Sequence, residues 1–255
     1  MATALVQGAL KAGVCTKEQI YASDRLQEAV KALSAKCGVH AATNNDEAAA
    51  LSNAILLCVK PGDALEALGD IRDDVRQKLI ISIVAGVKLQ TLQEAVGKEA
   101  RVIRVMPNTP ALIHRGAAAY CSGDGVTAED TALVEKIFAA VGKVFRVKEE
   151  MLDVVTGLSG SGPAYICVAI EALADAGVLM GLPRDLALQL AAHTTAGAAE
   201  MVLQTGAHPA QLKDMVASPG GTTIAGLEAL EASGLRSALI NAVRAATERS
   251  VELGA

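Results

Sequence analysis

Apolar residues in the first part of the chain follow two alternating rhythms. Short runs at residues 19–22, 54–59, 79–84, 102–106, 117–121 and 143–147 have the length and apolar content of strands. The longer stretches 1–12, 26–36, 63–76, 89–97 and 128–141 place apolar residues at helical spacing. Gly13 and Gly38 stand where the first two helices should stop, because glycine takes the left-handed terminal conformation at least cost. Apolar strands alternating with amphipathic helices predict a largely parallel sheet covered on both faces. Such sheets bind ligands at the carboxyl ends of their strands.

From about residue 149 the strand signals stop. Residues 163–181, 184–205, 209–217, 223–232 and 236–253 read as helices, with Pro163, Pro183 and Pro209 near starts and Gly181, Gly206 and Gly234 at ends. The first of these, after Pro163, carries only Glu171 and Asp175 as charges. A helix so apolar should be buried on nearly every side. Five helices offer too little cover, so a partner subunit is predicted. The expected organisation is an α/β dinucleotide-binding domain over 1–148 and an all-α domain over 149–255.

Composition narrows the function classes. Of the 255 residues 51% are apolar, yet the only aromatics are Tyr21, Tyr120, Tyr165, Phe138 and Phe145. The core must therefore be built from Ala, Val, Leu and Ile in close contact. With 20% charged residues and a net charge of −5, the chain is neither a disordered segment nor a nucleic-acid binder with a basic, aromatic-studded face. Mean hydropathy is positive (+0.35), but the apolar runs 54–59 and 79–87 fall short of the roughly 20 residues of a spanning helix. No charged and then apolar leader opens the chain, and a cytoplasmic location is expected. Cys15, Cys37, Cys58, Cys121 and Cys167 have no paired spacing and read as small buried thiols in a reducing compartment. His40, His114, His193 and His208 form no ligand pair, so no metal site is expected.

Several turns carry candidate chemistry. Ser23-Asp24-Arg25 follows the first strand, where the adenosine ribose of a dinucleotide lies in a doubly wound sheet. A carboxylate there suits a free 2′-hydroxyl, whereas Ser23 and Arg25 suit a 2′-phosphate; Arg25 tips the triplet toward NADP, and a plain solvated loop charge is an equal alternative on these three residues alone. Val59-Lys60-Pro61, Ala85-Gly86 and Met106-Pro107-Asn108 each end a strand. Together they outline a dinucleotide cleft, in which glycine lets a ligand approach and the Asn108 amide can pair with a carboxamide. Ser218-Pro219-Gly220-Gly221-Thr222-Thr223 leads into an apolar helix. One Thr would suffice as a cap, so the surplus of N–H and hydroxyl donors favours an anion site. Ser159-Gly160-Ser161-Gly162-Pro163 reads either as a second such turn or as an inter-domain hinge. No nucleophile–base pair is legible, which suits a hydride transfer that leaves the hard step to a cofactor.

The segments PAQLKDMVASPGGTTIAGLEALE, TGLSGSGPAY, ALADAGVLMGLPR, VMPNTP and VKP, spread over essentially the whole chain, resemble those of pyrroline-5-carboxylate reductase. The resemblance implies NAD(P)H-dependent reduction of 1-pyrroline-5-carboxylate to L-proline, the last step of proline synthesis, with NADPH preferred and NADH usable. It implies a Rossmann-like domain followed by helices that interleave with a second subunit, in dimers or assemblies up to decamers. By residue, it implies that Ser23 and Arg25 meet the 2′-phosphate, that Val59, Lys60, Pro61 and Ala85 line the cofactor, and that Asn108 orients the nicotinamide region. Ser218, Gly220, Gly221 and Thr222 would hold the substrate carboxylate and Thr223 the imine nitrogen.

One departure bears on the cofactor. The family places a first strand and a GxGxM turn before the opening helix, and Met1 corresponds to the last residue of that motif. The chain is thus expected to be about ten residues short of the family plan, without that strand and the pyrophosphate cradle, and with neighbouring strands unpaired. A cofactor-impaired structural or regulatory oligomer of the same fold is the alternative reading. A hydroxyacid dehydrogenase, which shares the two-domain plan, usually places a catalytic Lys on the first helix of its second domain. Residues 163–181 contain none.

Overall fold

The structure is a computed structural model that describes residues 1–254. The first part runs α1 (Ala2–Lys11), β1 (Tyr21–Ala22), α2 (Gln27–Cys37), β2 (His40–Ala41), α3 (Asn45–Ala50), β3 (Ala54–Leu57), α4 (Ala64–Asp70) and β4 (Leu79–Ser82). It continues with α5 (Leu89–Val96), β5 (Arg101–Met106), β6 (Gly116–Ser122), α6 (Ala128–Ala139) and β7 (Gly142–Arg146). The helices α7 (Leu152–Val155), α8 (Gly162–Leu179), α9 (Arg184–Thr205), α10 (Pro209–Val216), α11 (Thr222–Ala232) and α12 (Leu235–Leu253) follow. β2 and α3 have no counterpart in the sequence reading. A two-residue strand is too short to show a period, and α3 announces itself only by its cap, the Asn44 side chain accepting from Glu47 N at 2.9 Å.

The main sheet has the order β3-β4-β5-β6-β7. β3, β4 and β5 are parallel, β6 is antiparallel to β5, and β7 is parallel to β6. β1 and β2 form a separate parallel pair, and β3 is an edge strand with no described strand bridging it to β1. Side chains alternate through β4 and β5. Ile80 and Val102 enter one core with Leu68, Val75 and Leu92, while Leu79, Ile81, Ile103 and Val105 enter the other with Leu5, Val134 and Phe138. Each such side chain contributes about 1.5–3 kcal/mol by burial. Two covered faces hold the parallel strands rigid, so the turns at their carboxyl ends are well placed.

A partly buried ion pair ties β5 to α6. Arg101 Nε donates to Asp130 Oδ2 at 2.6 Å, and Asp130 also closes a capping box with Thr127. Burial pushes the Asp130 carboxyl up, but hydrogen bonds from Arg101 and Thr127 outweigh it and hold the carboxyl below the usual range. The stabilisation is therefore present at neutral pH and is lost as pH falls from about 4 through the lowered folded-state value. Asp130→Asn should cost about 2–3 kcal/mol at neutral pH in denaturant titrations. Its deficit against wild type should close below about pH 4; a deficit independent of pH would refute the assignment.

The described residues separate into two compact units, Met1–Ser161 together with the chain from Ala245, and Gly162–Arg244. In the second unit α8 and α9 pack through small residues, Ile170, Ala174 and Val178 against Ala187 and Ala191. A Cβ on Gly177 would stand 3.0 Å from that of Ala187, so the approach depends on the missing side chain. The rest of α8 is open: Val168 is 65% and Leu179 84% exposed, and Cys167, expected among buried thiols, is exposed as well. The expected burial of α8 on nearly every side is thus not supplied within the chain. The helical stretch Glu149–Leu179 is 31 residues long and contains an 18-residue window of mean hydropathy 1.4, so by length and composition it could cross a membrane. It contains no unbroken apolar run of that length because Gly, Ser and Thr dilute its first turns.

Candidate functional site

At the end of β1 the half-buried Ser23 Oγ donates to Asn45 Oδ1 at 2.8 Å, and Asn45 Nδ2 donates to Asp70 Oδ2 at 3.2 Å. Asp24 turns back on the chain and accepts from Leu26 N at 2.8 Å, which sets up α2. Arg25 reaches across to the segment after β3, where Nη1 stands 3.2 Å from Asp63 Oδ1 and Nη2 meets Glu66. Pairing and charge from Glu66, then the charge of Asp63, raise the guanidinium above its ordinary pKa. Asp63 is in range because Pro61 opens a tight 3₁₀ turn, Pro61–Asp63, directly after the exposed Lys60. Val59 packs on the core beside that turn, and burial pushes the neighbouring Cys58 thiol up to about 12. The hydroxyl and guanidinium at the end of β1 form a donor set for a phosphate monoester.

Ala85 and Gly86 follow β4, with Gly86 at φ +78°. A Cβ on Gly86 would stand 3.4 Å from the Leu253 carbonyl oxygen, so this glycine accommodates the end of α12. Asn108 ends β5 and is 9% exposed. Its Oδ1 accepts from Ala117 N at 2.9 Å and its Nδ2 donates to Ser159 O at 3.1 Å, so the carboxamide ties the strand end to the π-helical turn Thr156–Gly160. A second tie runs parallel to it. Arg104, with 5% of its side chain exposed, places Nη1 3.2 Å from Glu149 Oε1, and that oxygen also accepts from Leu89 N at 2.6 Å.

The other candidate segment lies in the second unit. Gly220 adopts φ +68°, and Gly221 is the N-cap of α11. A Cβ on Gly221 would collide with the Ser218 hydroxyl, so the turn needs glycine there. No side chain caps α11, and the Ser218, Thr222 and Thr223 hydroxyls have no hydrogen-bond partner among the described residues. The first N–H groups of α11 are therefore available at the positive end of the helix dipole. A groove of about 560 Å³ opens beside the turn, lined by Lys213, Gly220, Gly221, Ile224 and Glu228 among others. Thus Arg25 is joined to the Lys60-Pro61 turn through Asp63, Ser23 is joined to Asp70 through Asn45, and Ser218 to Thr223 form one turn of their own.

Residues 149–253 match the family model described as pyrroline-5-carboxylate reductase dimerisation, and residues 1–86 match NADP oxidoreductase coenzyme F420-dependent. The pyrroline-5-carboxylate reductase of Methanosarcina acetivorans is 48% identical over 255 residues, covering 100% of this chain and 94% of that protein. The chain belongs to the pyrroline-5-carboxylate reductase family. Among solved structures, a Coxiella burnetii member of the family superposes with a TM-score of 0.93 at 34% identity, over 100% of this chain and 95% of that one. The Plasmodium falciparum pyrroline carboxylate reductase with NADP bound gives 0.88 at 36%, over 99% and 94%. The fold is accordingly a Rossmann-like NADP-binding domain followed by a helical dimerisation domain. Within this reductase family fold, the exposed apolar faces of α8 belong to a region matched as dimerising.

Sequence reasoning passed over Asp63, Glu66 and Asn45 beside the Ser23–Arg25 loop, and the Arg104–Glu149 tie. Asp63 carried a faint signal, as an acid two residues after a strand-ending Pro. The partnership of Arg104 and Glu149 spans 45 residues and has no local signature.

Proposed function

We propose that the chain reduces 1-pyrroline-5-carboxylate to L-proline with NADPH, the last step of proline synthesis. Membership of the reductase family supplies the reaction. The observation that carries the site is the uncapped, glycine-bearing start of α11 with its three unpartnered hydroxyls. The substrate carboxylate rests on the N–H groups of Gly220 and Thr222 and on the Ser218 hydroxyl, where the helix dipole favours an anion; Gly221 gives its own N–H to Ser218 O at 3.0 Å and lines the site by its bare Cα. Thr223 Oγ1 accepts from the protonated ring nitrogen. That holds the proton on nitrogen and keeps the adjacent carbon electrophilic. The reduced nicotinamide supplies the hydride when bound. One hydride and one proton saturate the C=N bond, so no side-chain acid is needed beyond the substrate's own basic nitrogen.

For the coenzyme, Ser23 and Arg25 bind the 2′-phosphate, Val59, Lys60, Pro61 and Ala85 line the dinucleotide, and Asn108 shapes the nicotinamide end. Residues 1–148 form the dinucleotide-binding domain and 149–255 the helical substrate-binding and dimerisation domain, a division supported by the family match beginning at residue 149. The helices interleave with a second copy in a cytoplasmic dimer, or in a decamer built from such dimers. The test is NADPH oxidation with 1-pyrroline-5-carboxylate, with proline identified by mass. Turnover is expected. No proline from a folded dimer would sink this reading and favour a cofactor-impaired structural oligomer.

A further inference from the structure

The guanidinium that should receive the coenzyme's 2′-phosphate is already engaged. Arg25 pairs with Asp63 and Glu66, and all three side chains are well exposed, at 59, 43 and 66%. The companion donor is engaged too, since the Ser23 hydroxyl gives its hydrogen to Asn45. Asp24 is not the competitor, because its carboxylate is turned onto Leu26 N. Exposed ion pairs are weak, so an incoming phosphate dianion, which makes stronger charge-assisted bonds to a guanidinium, displaces the carboxylates. A coenzyme without the 2′-phosphate leaves them in place.

We propose that Asp63 and Glu66 are specificity-determining residues that damp the preference for a 2′-phosphorylated coenzyme by occupying Arg25 until the phosphate displaces them. The proposal rests on the reading of Ser23 and Arg25 as the 2′-phosphate site. Its physical content is a competition: the phosphate gains the bond to Arg25 but must first release two carboxylates and then sits beside their negative charge. NADH faces no such cost, which narrows the gap between the two coenzymes. Both acids lie on a solvent-exposed turn and the start of α4, so removing their charge leaves the core untouched.

The probes are adenosine 2′,5′-bisphosphate and AMP, titrated calorimetrically into the full chain; they differ by the 2′-phosphate alone. In wild type the bisphosphate should bind more tightly. Glu66→Gln should tighten it by about two- to fivefold, the range of an exposed pair, and the Asp63→Asn/Glu66→Gln double variant further, with AMP unchanged. Glu94→Gln, which removes the same charge from α5, should change neither. Arg25→Gln should abolish the preference. If Arg25→Gln abolishes it while both carboxylate variants bind the bisphosphate as wild type does, or more weakly, the competition is refuted and the phosphate site stands. If Glu94→Gln tightens binding equally, the effect is general charge and the proposal fails. If Arg25→Gln keeps the preference, or wild type shows none, the phosphate-site reading falls and the proposal with it. The ratio of KM values for NADH and NADPH should move in the same direction as the calorimetry.

Discussion

Thr223→Ala lowers kcat about a hundredfold while NADPH binding is retained, the lower end of the loss expected when a group that holds a proton in place at the reacting bond is removed. The expectation follows from the start of α11. Thr223 is half-buried and its hydroxyl has no partner in the described chain, so its removal breaks no bond that holds the fold. On the proposed reading, what is lost is an acceptor beside the protonated ring nitrogen, whose proton must stay in place during hydride transfer. Thr223→Ser keeps the oxygen and should recover most of the rate, whereas Thr223→Val keeps the shape and should not. Steady-state NADPH oxidation gives the rates, and nucleotide fluorescence on mixing gives the binding. Normal turnover in Thr223→Val would reduce Thr223 to a helix-start residue with no part in the chemistry.

The second large effect is on assembly. Val168, 65% exposed, is an open apolar position of α8, and the region from residue 149 matches a dimerisation family. In a two-fold dimer one substitution appears twice. Val168→Asp would bury two unpaired carboxylates, each costing several kcal/mol, and should weaken the dimer by at least about a hundredfold. Sedimentation velocity should then show monomer at concentrations where wild type is dimeric, and thermal stability should fall with it. Glu129→Gln, on the surface of α6, should leave the sedimentation coefficient unchanged. A Val168→Asp protein that sediments as a dimer with wild-type stability would exclude this face from the interface.

Much of the fold was legible because its signals are local. Strands β3 to β7 each showed as a short apolar run, and the five long C-terminal helices were delimited by their glycines and prolines. Short elements escaped: β2 spans two residues, and its pairing with β1, where His40 stacks on Tyr21, joins positions 19 residues apart that no local pattern links. The antiparallel pairing of β5 with β6 also escaped. Residues 107–115 between them are too few for a parallel crossover, which needs about a dozen or more, so the length of a connection, not its pattern, held that information.

The turn from Ser218 to Thr223 was readable because its donors are consecutive and their purpose is local, the start of a helix. Around Arg25 the sequence showed the cation but not its company. Asp63 lies 38 residues away and arrives only because β1 and β3 end on the same side, with a proline-led turn folding it back. Asn108 illustrates the same division. Its type and place at a strand end were visible, but that its amide is held by Ala117 and Ser159 depends on contacts 9 and 51 residues distant.

By itself, then, the sequence determined the family, the alternation of strands and helices, the helical second half and the donor-rich turn before α11, all of which depend on near neighbours along the chain. Only the tertiary structure decided that Arg25 is held by two carboxylates, that Gly86 makes room for the end of α12, and that α8 leaves most of its apolar surface uncovered. Each of these turns on how close two distant segments come. Separation in space is fixed by packing, and no spacing along the sequence records it.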